Sequence, residues 1–199
     1  MEFLQNFINS LHDILGSLGT VGIIAACALM FFESIVPFMP LSVFITVIFY
    51  TFGSFKGILI CYIFTCLGCI TSYELCRRIF KKFIENKIIP RLGEKKRAVL
   101  EKFMKKTGKL STSSLTVLLA IPFTPCSPVN VAAGITDVDR KRFYTAIIVS
   151  KIFMVYFWGY IGTSLLESLN NPFIIIKVVI ILVISWLLSK ILGKVLKFD

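Results

Sequence analysis

The sequence predicts an all-α integral membrane protein built as an inverted repeat, and three observations carry this prediction. The chain has 199 residues, 56% of them hydrophobic, and a mean hydropathy of +0.84, whereas ordinary soluble proteins are about 45–50% apolar. Two similar proline-containing motifs lie inside apolar stretches, PFMPLSV at 37–43 and PFTPCSPV at 122–129. The basic residues are concentrated in a few clusters between those stretches. We interpret residues 1–199 as a single membrane domain.

Six apolar runs define the expected helices. They cover residues 14–32, 41–55, 57–73, 115–135, 143–166 and 173–189. Because a helix needs about 20 residues to cross the hydrocarbon core, the credible spans are 14–32, 57–73, 143–166 and 173–189. The run 14–32 has no basic segment before it and no clear cleavage site after it. It therefore indicates a retained helix and not a cleaved signal peptide.

The two proline motifs predict broken helices at corresponding places in two halves of the chain. Proline lacks a backbone N–H and interrupts a helix, and the freed groups must be sheltered by protein or line a wet cavity. Paired interruptions of this kind point to a transporter's binding site. The shared pattern P-F-x-P-x-S makes the following residues candidates for substrate binding: Pro37, Pro40, Ser42, Pro122, Pro125 and Ser127. The alternative is two unrelated kinks in ordinary helices.

The placement of the positive charge predicts the topology. The net charge is +11, and residues 77–109 hold thirteen Lys and Arg against three Glu. If all six apolar runs crossed the membrane, the basic cluster 140–142 and the C-terminal tail would lie outside, against the positive-inside rule. Every basic cluster lies in the cytoplasm if two runs enter and return on one side. The predicted segments are a first re-entrant segment at about 33–55, a second at about 111–135, facing it from the opposite leaflet, and C-terminal spans at 143–166 and 173–192.

The basic region 77–109 also has an amphipathic pattern. Its apolar residues recur at helical spacing with Lys between them: Phe80, Ile84, Ile88, Val99, Leu100, Phe103 and Met104. Pro90 and Gly93 should separate two helices. Such helices lie on membrane surfaces, and basic clusters attract anionic lipids by about 1 kcal/mol per charge. We interpret the region as a topology determinant and as a surface for anionic headgroups. Nucleic acid is not an expected partner, because no separate soluble domain carries the charge.

Two charged residues lie within or at the end of apolar runs. Lys151 is inside the run 143–166, where a Lys costs about 2.5–3.5 kcal/mol on insertion scales. It either faces a partner or water, or extends to the cytoplasmic surface. Glu33 ends the first run. It is either an interfacial carboxylate exposed to water or a headgroup or proton site at the mouth of the first re-entrant segment.

The sequence predicts no enzyme, no metal site and no cofactor. Six cysteines lie in or beside apolar runs, and buried free Cys usually behaves as a small hydrophobic residue. Cys66 and Cys69 have the spacing of a metal or redox pair, but no matching Cys/His pair completes a zinc site. Gly-rich phosphate loops, His-Glu-x-x-His and Gly-x-Ser-x-Gly are all absent from the sequence.

The chain resembles the DedA superfamily, also called the VTT or SNARE-associated Golgi protein family, over roughly residues 15–165. The first stretch carries Glu33, the two prolines and then Gly53, Gly57, Gly68, Tyr73 and Arg77. The second reads PFTPCSPVNVAAG from Pro122 to Gly134 and includes Asn130. Phe143 and the aromatic run to Gly162 continue the match. The order and spacing of these motifs make the resemblance specific.

The resemblance implies two facing re-entrant loops and movement of lipids across the bilayer. Bacterial members are associated with undecaprenyl phosphate recycling or phospholipid translocation, often in dependence on the proton-motive force. The resemblance adds Glu33, Arg77, Asn130 and Gly134 to the candidate site. Leu119 stands where many members have an Arg, and Lys151 could replace it as the cation that meets a lipid phosphate.

Two functions are therefore carried forward. The first is a translocase or scramblase for phosphate-bearing lipids, undecaprenyl phosphate or phospholipid, with coupling to the proton-motive force as one form of it. The second is a membrane scaffold or a proton-coupled envelope-homeostasis protein that moves no lipid itself. Membrane lipids with anionic or phosphate-bearing headgroups are the expected partners, together with a second copy of the chain. The expected location is a bacterial plasma membrane, crossed several times.

Overall fold

The structure is a computed structural model that describes residues 2–36, 41–122, 124 and 126–167, and also residues 180, 181, 183, 184 and 187. All of the secondary-structure elements in these residues are helical, as the sequence predicts. Two of the described helical stretches are long and apolar enough to cross a membrane, Leu41–Phe83 and Arg140–Leu165. Most of the predicted span 173–192 lies outside the described residues.

The N-terminal region consists of two helices, so the prediction of one continuous span at 14–32 is wrong. Helix α1 covers Glu2–Ser17 and helix α2 covers Thr20–Ile35. Gly19, between them, has a φ of 51°, a left-handed conformation that glycine adopts without the penalty paid by other residues. Apolar composition continues through this turn, and so the turn does not interrupt the hydropathy pattern. Helix α1 packs on the protein through its buried Leu15.

Helix α3, Leu41–Leu75, reverses direction at Gly53, where φ is 77° and ψ is 166°. A Cβ atom added to Gly57 would lie only 3.0 Å from the Cα atom of Phe49. In a continuous helix, residues eight positions apart are separated by about 12 Å along the axis. The two arms of α3, residues 41–52 and 54–75, therefore form a helical hairpin whose arms pack against each other.

The basic region after α3 is helical in two parts. Cys76–Phe80 is a π-helix, α4 covers Lys81–Phe83, Ile84–Ile88 is a second π-helix, and Ile89–Arg91 is a short 3₁₀ turn. Helix α5, Glu94–Lys109, follows Gly93.

Some apolar side chains of the basic region pack against the second half of the chain, and others are exposed. Met104, with Leu100 and Phe103 beside it, packs against Ala132 and Ile135 of the second half. These α5 residues were predicted to face a membrane surface, and that part of the prediction is wrong. The large apolar side chains left exposed here are Ile79, Phe80, Phe83 and Val99.

The second half contains two short helices and one long one. Helix α6, Thr112–Ala120, has 9 residues and α7, Cys126–Ile135, has 10, so neither reaches the roughly 20 residues needed to cross a bilayer. The Ser111 side chain caps α6 by accepting a hydrogen bond from the Ser114 N–H. Helix α8, Arg140–Glu167, corresponds to the predicted span 143–166.

The elements of the two halves follow the same order. In the first half, α2 is followed by the segment 36–40, a short helical arm, a turn at Gly53 and a long arm. In the second half, α6 is followed by the segment 121–125, the short α7, a turn at Asp137 and the long α8. Gly53 and Asp137 both have a positive φ, 77° and 53°. The inverted repeat itself, which the proline motifs suggest, stays a prediction.

Ionic contacts join the end of α3 to the start of α8. The Glu74 carboxylate accepts hydrogen bonds from Arg78 Nε at 2.6 Å, Arg140 Nε at 2.7 Å and Tyr144 Oη at 2.7 Å. Asp137 forms ion pairs with Arg77, at 3.4 Å, and with Lys81. The basic segment after α3 and the turn before α8 therefore lie at the same end of the molecule.

Candidate functional site

Three polar residues from separate helices are buried in the apolar interior. Glu33 on α2 is 4% exposed, and Asn130 on α7 and Lys151 on α8 are both 0% exposed. The Glu33 carboxylate and the Lys151 ammonium are close enough to interact electrostatically. We call Glu33, Asn130 and Lys151, with the sulfur groups described next, the buried polar cluster. Glu33 is thus not a carboxylate exposed to water, which excludes one of its two interpretations.

The Lys151 ammonium is surrounded by sulfur. Its Nζ lies 3.3 Å from the Met154 thioether, and the thiols of Cys126, Cys69 and Cys66 also interact with it. Thioethers and thiols are weak hydrogen-bond acceptors, whereas an ammonium group has three donors. No carboxylate of the described residues lies within salt-bridge distance of Lys151. Because the residue is fully buried, its extension to the membrane surface is excluded.

Asn130 lacks conventional hydrogen bonds. Its side chain lies beside the Cys69 thiol, but neither its amide nitrogen nor its amide oxygen has a hydrogen-bond partner in the structure as described. The Thr65 hydroxyl on α3 is in the same situation. A buried polar group without a partner costs about 1–3 kcal/mol. Such groups can be satisfied by a polar ligand or by water entering the cluster.

Small residues allow the helices around the cluster to approach closely. A Cβ atom added to Gly134 on α7 would lie 2.7 Å from the Tyr73 carbonyl oxygen of α3. One added to Gly68 on α3 would lie 2.6 Å from the Ser34 Cβ atom of α2. Close helix–helix contacts at small residues are common in membrane proteins. Gly134, a predicted site residue, thus positions α7 against α3, and nothing in its surroundings suggests contact with a ligand.

The remaining predicted site residues are divided between the breaks and the end of α3. Ser42, Pro122 and Ser127 are half-buried at or next to the two breaks. Arg77 lies outside the cluster, where its guanidinium donates to the Val138 carbonyl at 3.2 Å and to the Tyr73 hydroxyl. Three predicted residues lie outside the described part of the chain: Pro37, Pro40 and Pro125.

Sequence reasoning did not predict the sulfur groups or Thr65 as parts of a site. Cys66, Cys69 and Cys126 were interpreted as small hydrophobic residues, and Met154 had no distinguishing pattern. Their common feature is a position that faces Lys151 from the same helix or a neighbouring one. The i, i+3 spacing of Cys66 and Cys69, and of Lys151 and Met154, is the signal that could have grouped them, because residues three apart share a helix face.

Comparison with known proteins identifies the family. The model of the VTT domain matches residues 36–164, most of the chain. The chain belongs to the VTT-domain family. It is also similar to the uncharacterized membrane protein YhjE of Bacillus subtilis (strain 168), with 23% identity over 192 residues, 96% of this chain and 90% of that protein. No solved structure matches the chain. With its two candidate spans, this VTT protein is a membrane protein.

Proposed function

We propose that this VTT protein moves phosphate-bearing lipids, undecaprenyl phosphate or phospholipid, between the leaflets of a bacterial plasma membrane. The single observation that carries the proposal is the buried polar cluster. It places a cation, an unpaired amide and a carboxylate inside an apolar helical protein, next to both broken segments. Polar and ionisable residues at membrane depth are rare and usually mark a substrate or ion pathway.

The chemistry of the cluster suits a phosphate headgroup. The Lys151 ammonium is bonded to a weak thioether acceptor, so exchanging that contact for a phosphate oxygen would give a stronger, charge-assisted hydrogen bond. The Asn130 amide nitrogen would donate a second hydrogen bond. Glu33 lies near the same cation and would compete with the phosphate for it. This competition would allow the headgroup to leave as well as bind.

The two proline-containing segments would supply the rest of the route that the headgroup takes through the protein. We propose that α6 and α7 enter and leave the membrane on one side, and that the segment at about 33–55, which includes the first arm of α3, does the same from the other side. Supporting this, α6 and α7 are each too short to span. Backbone groups freed at the breaks can line a wet cavity. A headgroup would cross between the two segments while its acyl chains stay in the lipid.

Purified protein reconstituted in liposomes tests the proposal. A fluorescent phospholipid and a labelled polyprenyl phosphate are placed in the inner leaflet, and their arrival outside is measured with an impermeant quencher. We expect transport above that of protein-free liposomes, and loss of most of it in Lys151→Met. Absence of movement for every phosphate-bearing lipid, with folded protein in the liposomes, would support the scaffold or homeostasis alternative instead.

Proton coupling is tested in the same liposomes by imposing a pH gradient. Because Glu33 is the one carboxylate in the cluster as defined here, we propose that it carries the coupling proton. A gradient should change the transport rate of the original protein but not that of Glu33→Gln. An equal response in both proteins would remove Glu33 from this role, and no response in either would indicate a scramblase without coupling.

A further inference from the structure

A groove lies between the second arm of α3 and α8. Its volume is about 320 Å³, and it is lined by Ile58, Tyr62, Ile152, Phe153, Val155 and Tyr156. This volume is at the lower end of the range of about 300–1,000 Å³ that is typical of ligand pockets. The lining is apolar except for the two tyrosine hydroxyls. It therefore suits a hydrocarbon chain better than a polar molecule.

Tyr62 separates the groove from the buried polar cluster. Its hydroxyl donates a hydrogen bond to the Ile148 carbonyl of α8 at 3.0 Å, and its phenol also lies next to the Cys66 thiol. Cys66 in turn interacts with the Lys151 ammonium. One side chain thus lies between an apolar groove on the outside and the cation of the cluster on the inside.

We propose that this groove binds one acyl chain of the lipid whose headgroup enters the buried polar cluster. The proposal rests on the proposed function, because it assigns the tail of the same substrate. The side of the groove formed by α8 is open, since its lining residues Ile152, Phe153 and Tyr156 are 53%, 62% and 63% exposed. Acyl chains are the medium that contacts such a surface in a bilayer. With its tail in the groove, the lipid keeps its hydrocarbon in an apolar environment while its phosphate crosses.

The side chain of Tyr62 would then act as a side gate. A headgroup that reaches Lys151 from the groove side has to pass between α3 and α8 at Tyr62, and the hydrogen bond to Ile148 holds these helices together there. Tyr62→Phe removes this hydrogen bond and keeps the ring that lines the groove. We expect faster lipid movement in this variant with the same acyl-chain binding, since the gate opens more readily and the groove is unchanged.

Photolabelling tests the groove independently of transport. The full-length protein is reconstituted in phosphatidylcholine vesicles that contain phosphatidylglycerol with a diazirine in one acyl chain, and the labelled residues are mapped by mass spectrometry. We expect more labelling at Ile58 and Tyr156 than at other lipid-exposed positions. Ile152→Trp, which fills the groove, should reduce the labelling at Ile58 and Tyr156 to the level of the other lipid-exposed positions.

The matched control is Ile63→Trp. Ile63 is an equally large side chain on the second arm of α3, 45% exposed and outside the groove lining. The Ile63→Trp variant should leave the labelling at Ile58 and Tyr156 unchanged. Equal labelling of all lipid-facing positions, or equal effects of the two Trp variants, would overturn the proposal. A disulfide formed in high yield between Ile152→Cys and a cysteine introduced in 173–192 would also overturn it, because the C-terminal segment would then fill the groove.

The two proposals fail in different ways. If the groove is labelled and Ile152→Trp removes the labelling, but no phosphate-bearing lipid moves, the acyl-chain site stands and the translocase proposal fails. If lipid moves and Ile63→Trp and Ile152→Trp reduce labelling equally, the translocase proposal stands and the acyl-chain site is wrong.

Discussion

At the scale of single residues, the cluster contains groups that oppose folding. A buried Lys beside a thioether and a buried Asn without hydrogen bonds both raise the free energy of the folded state. Glu33 and Lys151 could be found from the sequence because charged residues are conspicuous in or beside apolar runs, and Asn130 was found through the family resemblance. The cysteines could not be found, since such residues are ordinary in membrane helices and only the packing brings them to the cation.

Lys151 provides the first prediction. Lys151→Met keeps an unbranched side chain of slightly shorter length and removes its charge, so we expect a melting temperature that is unchanged or higher, because the desolvation penalty of the buried charge is lost. Lipid transport in liposomes should fall at least about tenfold, the loss of roughly 1.5 kcal/mol from a charged hydrogen bond. Lys151→Arg should keep part of the transport, since the charge remains but the shape changes.

The control for Lys151→Met is Lys56→Met, which removes an exposed charge. It should change neither the melting temperature nor the lipid transport. Lys151→Met with full transport would show that the cation has no part in moving lipid.

Asn130 provides the second prediction. Replacing it with Leu removes two unpaired buried polar atoms, so the melting temperature should stay the same or rise, because an unpaired group costs about 1–3 kcal/mol. Transport should fall, because the headgroup loses a hydrogen-bond donor. Asn86→Leu is the control at an exposed position. A melting temperature that drops strongly in Asn130→Leu would mean that the amide is satisfied in the membrane, for example by water.

At the scale of elements, proline indicated where α2 and α6 end, but glycine determined how the helices turn. The end of α2 at Ile35, the end of α6 at Ala120 and the long α8 follow from patterns that are visible in the sequence. The turn at Gly19 lies within an apolar stretch, where hydropathy does not change, whereas the reversal at Gly53 lies close to Lys56, which separates the runs 41–55 and 57–73. Their positive φ angles come from tertiary packing, which brings α1 against α3 and folds α3 on itself. The sequence contains the glycines but does not show which of its twelve adopt such angles.

Gly53 provides the third prediction. A Cβ atom at Gly53 or at Gly93 would meet nothing within 4 Å. The two sites therefore have equal room for a methyl group and differ only in backbone conformation. Gly53 has a φ of 77°, and Gly93 has a φ of −58°. Gly53→Ala should therefore destabilise the protein by about 1–2 kcal/mol, measured as a lower melting temperature in detergent. Gly93→Ala should be neutral or stabilise it by up to ~1 kcal/mol. Equal effects would contradict a reversal at Gly53.

Glu74 provides the fourth prediction. Its carboxylate joins α3 to α8 through two donors on α8, Arg140 and Tyr144, and its side chain is 18% exposed. Glu101 forms a single pair with Arg97 on one helix, with both side chains 52% exposed. Glu74→Ala should lower the melting temperature by about 3 °C or more. Glu101→Ala should change it little, because exposed pairs contribute little. Similar shifts for the two variants would show that the α3–α8 contact does not stabilise the fold.

At the scale of the whole molecule, the ionic contacts near Glu74 constrain the path of the chain. Since Arg140 binds Glu74 and Asp137 binds Arg77, the end of α3 and the start of α8 lie at the same end of the molecule. If that end lies at one membrane surface, the chain between them, including α6 and α7, makes no net crossing. The second re-entrant segment, which the positive-inside rule predicts, stays a prediction. The position of the tail 193–199 depends on the span 173–192, most of which lies outside the described residues.

The fifth prediction is this topology. Single cysteines are introduced at 56, 95 and 139, all exposed positions, in a background that lacks the native cysteines, and are treated with an impermeant maleimide. Positions 95 and 139 should be protected in intact cells and react after permeabilisation, because the basic clusters 77–109 and 136–142 face the cytoplasm. Position 56, beside the reversal of α3, should react in intact cells.

If 139 reacts from outside while 95 does not, the segment 111–135 crosses the membrane and the inverted repeat is wrong. If 95 and 139 both react from outside, the segment still returns to its own side, but the orientation of the whole protein is reversed. The experiment thus separates the re-entrant path, for which the ionic contacts argue, from the orientation, for which only the charge distribution argues.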